Sequence, residues 1–380
     1  MNNNLSNIKD KILFTPGPLT TSSTVKQAML RDLGSRDIEF IKVVKEIRNN
    51  LLEIAGVSND AAYEAVIMQG SGTFGIESVI TSSVPRNGKL LSIINGAYGR
   101  RITSIAEKAG IKNSFIEFEE NEIPVLLTIK EVLENDGEIT NVSIVHCETT
   151  TGIINPLEEI GKIVKDYNKI FIVDAMSSFG AMEIDLNGCN VDYLVSSSNK
   201  CIEGVPGFSF VIVKKEELIK SENNARSLSL DLFEQWKGLE KNGQFRFTPP
   251  THSILAFRRA LKELQEEGGI KARAERYKKN NEILLKGMSE LGFKTYLSEQ
   301  NMGYIITSFL YPEDKNFSFE KFYELLNDKG QVIYPGKLSK VDCFRIGNIG
   351  RIFENDIYHL IDAVRKTLTE MNVNIKETLS

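Results

Sequence analysis

The sequence predicts an α/β protein: a mostly parallel seven-stranded sheet between helices, followed by a smaller C-terminal α+β domain. Three observations predict it. Short apolar runs alternate with helical patterns through the first two thirds of the 380 residues, one strand–helix–strand unit is legible in detail, and the pattern changes after Gly268-Gly269. A chain of this length exceeds one small core, so two domains are expected, at 1–267 and 268–380.

The candidate strands are Val66–Gln69, Lys89–Ile94, Ser114–Phe118, Val142–His146, Ile170–Asp174, Tyr193–Ser196 and Phe208–Val213, with a long amphipathic helix over Arg36–Ala55 ahead of them. The legible unit begins at Val142–His146. Asn155 is expected to cap the next helix, with Pro156 at its first position. Leu157, Ile160, Ile163 and Val164 share one helical face, and Ile170–Val173 returns as a buried strand. That spacing makes a right-handed crossover in a parallel sheet, whose ligands bind at the carboxyl ends of the strands. Beyond it, Gly268-Gly269 stops a helix at Ser253–Glu267. A charged helix over Ile270–Leu291 follows, then strands near Tyr304–Phe309, Val332–Tyr334 and Cys343–Ile346 and helices near Phe319–Asn327 and Asn355–Met371. Strands joined by such mixed connections suggest α+β.

With 41% hydrophobic and 26% charged residues the composition is that of a soluble globular protein. A net charge of −5 offers no electrostatic attraction for nucleic acid or an anionic membrane. MNNNLSNIKDKILF is too polar for a signal peptide and no later stretch is apolar enough to span a bilayer, so a cytoplasmic protein is expected. The four cysteines (Cys147, Cys189, Cys201, Cys343) lack C-x-x-C spacing, which suits a reduced compartment and argues against structural zinc. His146, His252 and His359 are scattered, so no metal is expected.

In VIMQGSGTFGIES, Gly70, Gly72 and Gly75 spell the G-x-G-x-x-G of a dinucleotide turn. Such a turn needs an acid at the end of the next strand, roughly 20 residues on, to hold the ribose. Here KLLSII ends at Asn95-Gly96, so NAD is excluded. A phosphate remains: Gly70 and Gly72 admit an anion, Ser71 and Thr73 offer hydroxyls, and a helix starting near Thr73 points its amides at the same spot. Taken alone, a ligand-free glycine turn explains the loop equally well. Gly336-Lys337 lacks P-loop spacing, and Leu338 stands where Ser or Thr is required.

VSSSNKCIEGVPGF puts Lys200 just past an apolar strand, between Asn199 and Cys201. An amine there can attack a carbonyl once desolvation lowers its proton affinity. FIVDAMSSFG ends a buried strand in Asp174, and an unpaired carboxylate in a dry site is costly. Asp174 is therefore a helix cap, a salt-bridge partner or a grip on a protonated ring nitrogen. Tyr98, in IINGAYGRR, can stack on a ring. Amine, acid, aromatic and phosphate loop, each at a different strand end, together fit pyridoxal 5'-phosphate (PLP), whose ring needs a Schiff-base lysine and an acid at its nitrogen.

These blocks, together with LFTPGPLTTSSTVKQAML, HCETTTGIINPLEEIG, RFTPPTHSILAF, VIYPGK and CFRIGNIG, resemble the class V aminotransferases of PLP fold type I over nearly the whole chain. The resemblance implies that Lys200 forms the Schiff base and shuttles the proton, and that Asp174 pairs with the pyridine nitrogen. It puts Ser71, Gly72 and Thr73 on the cofactor phosphate, Tyr98 on the ring face, Thr149 at the ring hydroxyl and Asn199 beside the lysine and phosphate. It assigns Thr248 to the phosphate of the neighbouring subunit, in a homodimer with shared active sites. Arg345 would hold the acidic group of the small-molecule amine and 2-oxo acid substrates. The Pro16-Gly17-Pro18 loop would fold over the site, with Gly17 at the substrate. SLSLDL, RFTPPTH and CFRIGNIG, in this order, point to the branch acting on 2-aminoethylphosphonate and pyruvate. LGSRDIEF, containing Arg36, is shaped like glyoxylate-using relatives, so an alanine- or serine–glyoxylate aminotransferase is the alternative.

Overall fold

In a computed structural model of the chain, residues 10–336 and 341–374 are described. The polar start MNNNLSNIK and the Lys337-Leu338 pair of the rejected P-loop lie outside them.

The helix α1 (Ile38–Ile54) leads into a seven-stranded sheet. Its strands are β1 (Tyr63–Gln69), β2 (Lys89–Ile94), β3 (Lys112–Glu117), β4 (Ile139–Val145), β5 (Ile170–Asp174), β6 (Tyr193–Ser197) and β7 (Phe208–Lys214). Their order across the sheet is β1-β7-β6-β5-β4-β2-β3. β7 is antiparallel to β1 and β6, and the other neighbouring pairs are parallel. The central strands read as continuous apolar runs because helices cover both of their faces. β3 lies at the edge, is largely exposed and carries Lys112 and Glu117, as suits an edge that must not recruit another strand.

Helix α2 (Gly72–Ser83) follows β1, α3 (Ala97–Lys108) follows β2, and α4 (Leu157–Asp166) makes the crossover from β4 to β5. Here the expected cap is corrected. Pro156 occupies the N-cap position of α4 without a side-chain bond, and Asn155 does not cap the helix. The Asn155 amide instead donates to the Val145 carbonyl at 2.7 Å and pairs with Asn95 at 2.8 and 3.1 Å. Both asparagines are buried, where an unsatisfied amide costs more than a missing cap.

Helices α5 (Thr251–Glu267) and α6 (Gly269–Glu290) meet at Gly268, whose φ of 111° ends the first and opens the second. A three-stranded antiparallel sheet of β8 (Ile306–Leu310), β9 (Tyr334–Pro335) and β10 (Cys343–Gly347) follows, in the order β8-β10-β9. It packs with α7 (Phe319–Asp328) and α8 (Glu354–Glu370). The apolar side chains form one large cluster over residues 25–264, another centred on 283–373, and a small third one in which Cys147 and Cys201 meet Tyr277, Ile305 and Ile349. The second cluster includes Phe14, because Ile12–Leu13 pairs in parallel with Gln331–Val332. This pairing anchors the N-terminal segment on the second core before it turns toward the large sheet. No described helix is long and apolar enough to cross a membrane.

Candidate active site

A cavity opens where the carboxyl ends of β1, β2, β5 and β6 converge. Ser71, Gly72, Thr73 and Tyr98 line it, as do Asp174, Asn199 and Lys200. Gly70 turns the chain out of β1 at φ 102°, and α2 begins two residues later with Ser71 at its N-cap. The Ser71 hydroxyl makes no capping bond, and the Gly72 and Thr73 amides head the helix, beyond reach of an intrahelical carbonyl. A Cβ on Gly72 would lie 2.5 Å from Met176 Sδ, so a larger residue here would have to displace the Met176 side chain on the loop after β5. Hydroxyls, free amides and the positive end of a helix make an anion cradle.

Asp174 ends β5 between Val145 and Val195 on the neighbouring strands. Its Oδ1 accepts from the Met176 amide at 3.0 Å, and no described lysine or arginine forms an ion pair with it. Burial pushes its carboxyl up to about 7, against the Met176 hydrogen bond and the charges of Lys200 and Arg101. Burial also lowers the proton affinity of Lys200, with Cys201 and Asp174 opposing. Lys200 Nζ donates to the Pro16 carbonyl at 2.7 Å. Gly17, at φ 111°, lies so close that a Cβ there would be 2.8 Å from the Asn199 carbonyl oxygen and 2.9 Å from Lys200 Cδ. The Pro16–Pro18 turn therefore closes directly over the lysine.

Tyr98 stands in the first turn of α3. Buried Glu148 accepts from the Tyr98 and Gly99 amides at 3.3 and 3.4 Å and from the Thr150 hydroxyl at 2.6 Å. Burial raises its pKa and those hydrogen bonds lower it. Glu148 thus fixes the start of the helix that carries the aromatic. Its only sequence signal was an acid inside the otherwise uncharged HCETTTG.

Thr149 shares a 2.7 Å hydrogen bond with Ser177, on the segment after Asp174, and its carbonyl accepts from Arg345 Nη1 at 2.9 Å. Arg345, buried on β10, also donates to the Pro335 carbonyl at 2.8 Å and lies 4.8 Å from the Tyr334 ring centroid. Its Nε is buried without a partner, and no carboxylate pairs with it among the described residues. A buried guanidinium in that state is poised for an anion. Thr248 is exposed on this chain and does not line the cavity. His146 is buried against Ser178 and pushed down to about 4 by burial, so it is neutral. No cluster of metal-ligating side chains exists among the described residues.

Two features escaped the sequence reading. Arg101 lines the cavity one helical turn beyond Tyr98. Behind Lys200 lies a buried ionic cluster from the start of α6. Arg273 donates to the Cys201 carbonyl at 2.6 Å, and Glu203 accepts from Arg276 at 2.7 Å and from the Tyr277 hydroxyl at 2.6 Å. Glu267 bridges Arg273 and Arg276, each at 2.7 Å. Arg276 also donates to the Gly350 and Ile352 carbonyls, at 2.7 and 3.0 Å. The peptide after Lys200 is thereby tied to the loop that follows Arg345's strand.

The model of the aminotransferase class V family matches residues 20–337. The chain belongs to the class V aminotransferases. Among curated relatives, the 2-aminoethylphosphonate–pyruvate transaminase of Bacillus cereus (strain Q1) is 51% identical over 356 residues, covering 93% of this chain and 97% of the relative. That of Bacillus cytotoxicus is 52% identical over 354 residues, covering 93% and 96%. Among solved structures, the ureidoglycine–glyoxylate aminotransferase of Bacillus subtilis superposes with a TM-score of 0.88 at 22% identity, covering 98% of this chain and 96% of that one. The alanine–glyoxylate aminotransferase of a Nostoc species gives 0.86 at 23% identity, covering 97% and 99%. For this class V aminotransferase the expected PLP fold type I is therefore shown, with its mostly parallel sheet of seven strands.

Proposed function

We propose that this aminotransferase uses PLP to move the amino group of 2-aminoethylphosphonate to pyruvate, giving phosphonoacetaldehyde and L-alanine. The observation that carries the reaction type is one cavity holding both a lysine of lowered proton affinity and a buried carboxylate without a cation partner. The relatives at 51 and 52% identity, which cover nearly their whole length, support the choice of substrates.

The donor set fits the cofactor. Asp174, costly as an unpaired carboxylate, would hold a protonated ring nitrogen. The Ser71–Thr73 cradle and Asn199 would take the phosphate, Thr149 the ring hydroxyl, Tyr98 the ring face and Lys200 the aldehyde carbon. When bound, PLP supplies an electron sink for the pair released at the carbon bearing the amine. Lys200 Nζ, whose proton affinity burial lowers, takes the proton from that carbon in the first half-reaction. In the second it returns a proton to the carbon of pyruvate that becomes the α-carbon of alanine. Asp174 keeps the proton on the ring nitrogen. Arg345 binds the phosphonate of one substrate and the carboxylate of the other, since a guanidinium fork suits both. The Pro16–Pro18 turn orients Nζ through the Pro16 carbonyl and excludes water from it.

Residues 268–380 are read as the smaller domain, supported by the separate apolar clusters. The active form is read as a homodimer in which Thr248 reaches the partner's phosphate. Supporting this, Phe74 and Phe247 are large exposed apolar residues next to Thr73 and Thr248, and Gln69 donates to the Phe247 carbonyl.

The deciding experiment follows the visible absorption of the purified protein as 2-aminoethylphosphonate is added. The band of lysine-bound cofactor should bleach and then return with pyruvate. Bleaching with alanine or serine but not with the phosphonate would transfer the function to the glyoxylate-using branch. No band after added PLP would remove the cofactor itself.

A further inference from the structure

We infer that Arg101 is the cation that neutralises the cofactor's phosphate, an inference that rests on the PLP reading above. The proposed cradle of Ser71, Gly72, Thr73, Asn199 and Thr248 contains only neutral donors. A phosphate monoester carries about −1.5 to −2 charges at pH 7, and in a partly buried cavity that charge needs a counter-charge. The cationic side chains lining the cavity are Lys200 and Arg101, and burial disfavours the charge on Lys200.

The two arginines of NGAYGRR are treated differently. Arg100 is engaged by the acids beside the edge strand, Glu117 at 2.6 Å and Glu120 at 3.0 Å. Arg101 has no ion pair among the described residues and rests over the Tyr98 ring, 4.5 Å from its centroid. Tyr98 and Arg101 are three residues apart on α3 and so share a face. An exposed cation–π contact is a weak restraint beside a charge-assisted fork to a phosphate. The charge reaches the chemistry, because Arg101 lowers the proton affinity of both Asp174 and Lys200.

Position favours the cofactor's phosphate over the substrate's phosphonate. Helix α3, which bears Arg101, packs against α2, which Ser71 heads, and Ile76 of α2 and Ile105 of α3 line the same cavity. Arg345, the other guanidinium, sits on β10 of the opposite sheet and is left for the substrate's anion.

The test compares PLP with pyridoxal, which has the same ring without the phosphate. Both are titrated against the full chain stripped of cofactor, with the visible band as readout, for wild type, Arg101→Lys and Arg101→Met. The Met variant is expected to lose about 10- to 100-fold in PLP affinity, the range of a charge-assisted hydrogen bond, with little change toward pyridoxal. The Lys variant should fall between, keeping the charge without the fork. Inorganic phosphate should compete with PLP for wild type more effectively than for the Met variant. Equal losses for PLP and pyridoxal would mean that Arg101 acts only by holding Tyr98, which overturns the inference. Unchanged PLP affinity with a raised KM for 2-aminoethylphosphonate would overturn it in favour of the phosphonate. A wild type that forms no band with either aldehyde would sink the cofactor reading itself, a failure distinct from a phosphate-specific loss.

Discussion

At the scale of single residues, one cause acts in opposite directions on Asp174 and Lys200. Burial disfavours charge, so the acid's pKa rises and the amine's falls. Asp174 therefore gives a stability prediction with a definite sign. Its folded-state pKa of about 7 lies above that of the unfolded chain, near 4. The stabilisation from protonated Asp174 is complete below about pH 4 and is lost as pH rises through about 7. In cofactor-free protein, Asp174→Asn should be more stable than wild type above pH 7, by up to about 4 kcal/mol, with the gap closing toward pH 4. Denaturant melts across that range check it, and saturating PLP should reverse the order. Lys200→Ala should lower transamination by at least about 10²- to 10⁴-fold, the typical share of a positioned proton-transfer group, and abolish the lysine-dependent visible band. A variant that kept both would leave the proton transfer to another group.

Secondary-structure elements are held by contacts that no local pattern announces. The cluster of Glu203, Glu267, Arg273 and Arg276 ties α6 to the peptide after Lys200, and its charges balance. Removing one member strands the others in a dry setting. Glu203→Ala should destabilise the protein by about 3–5 kcal/mol, whereas replacing Arg276 as well should recover part of the loss. Unfolding of the single and double variants measures it, and strict additivity would contradict the coupling. Gly161 gives a second prediction at this scale. It lies inside α4, where alanine is ordinarily preferred by about 1 kcal/mol. A Cβ there would sit 1.8 Å from the Cys189 carbonyl oxygen, and backbone cannot step aside as a side chain can. Gly161→Ala should therefore destabilise the protein by about 1–3 kcal/mol of overpacking despite the better helix former, read as a lowered melting temperature. Asn155 teaches the same lesson: its sequence position suggested a cap, and its burial beside Asn95 assigned it another partner.

For the whole molecule, the proposed shared site is testable with subunits that fail separately. Lys200→Ala and Thr248→Asp chains are each expected to be inactive, the second because its charge opposes a phosphate in the partner. A heterodimer of the two contains one site with both native groups. Co-refolding should restore activity of about a quarter of the wild-type level if subunits mix at random. Mixtures as inactive as their parents would place Thr248 outside the neighbouring site.

The sequence by itself determined the elements whose cause is local. The seven strands of the large sheet were legible to within a few residues, since strands buried on both faces leave continuous apolar runs that glycine and polar turns interrupt. The site was legible where a residue type is unexpected in its setting, as with an acid ending a buried strand or a lysine beyond one. Only the tertiary structure brought Asp174, Lys200 and the Ser71–Thr73 turn to one cavity, because strand order is set by crossovers that no single segment encodes. It alone distinguished Arg101 from Arg100, identical neighbours in sequence, because acids at and beyond the β3 edge hold Arg100 in ion pairs, whereas Arg101 lines the cavity and forms none among the described residues. It alone joined the N-terminal segment to the last core, and so showed what holds Gly17 over the lysine, where the resemblance had implied that loop would fold. Periodicity records which side of an element is buried, whereas the partner of a buried charge depends on atoms far away in the chain.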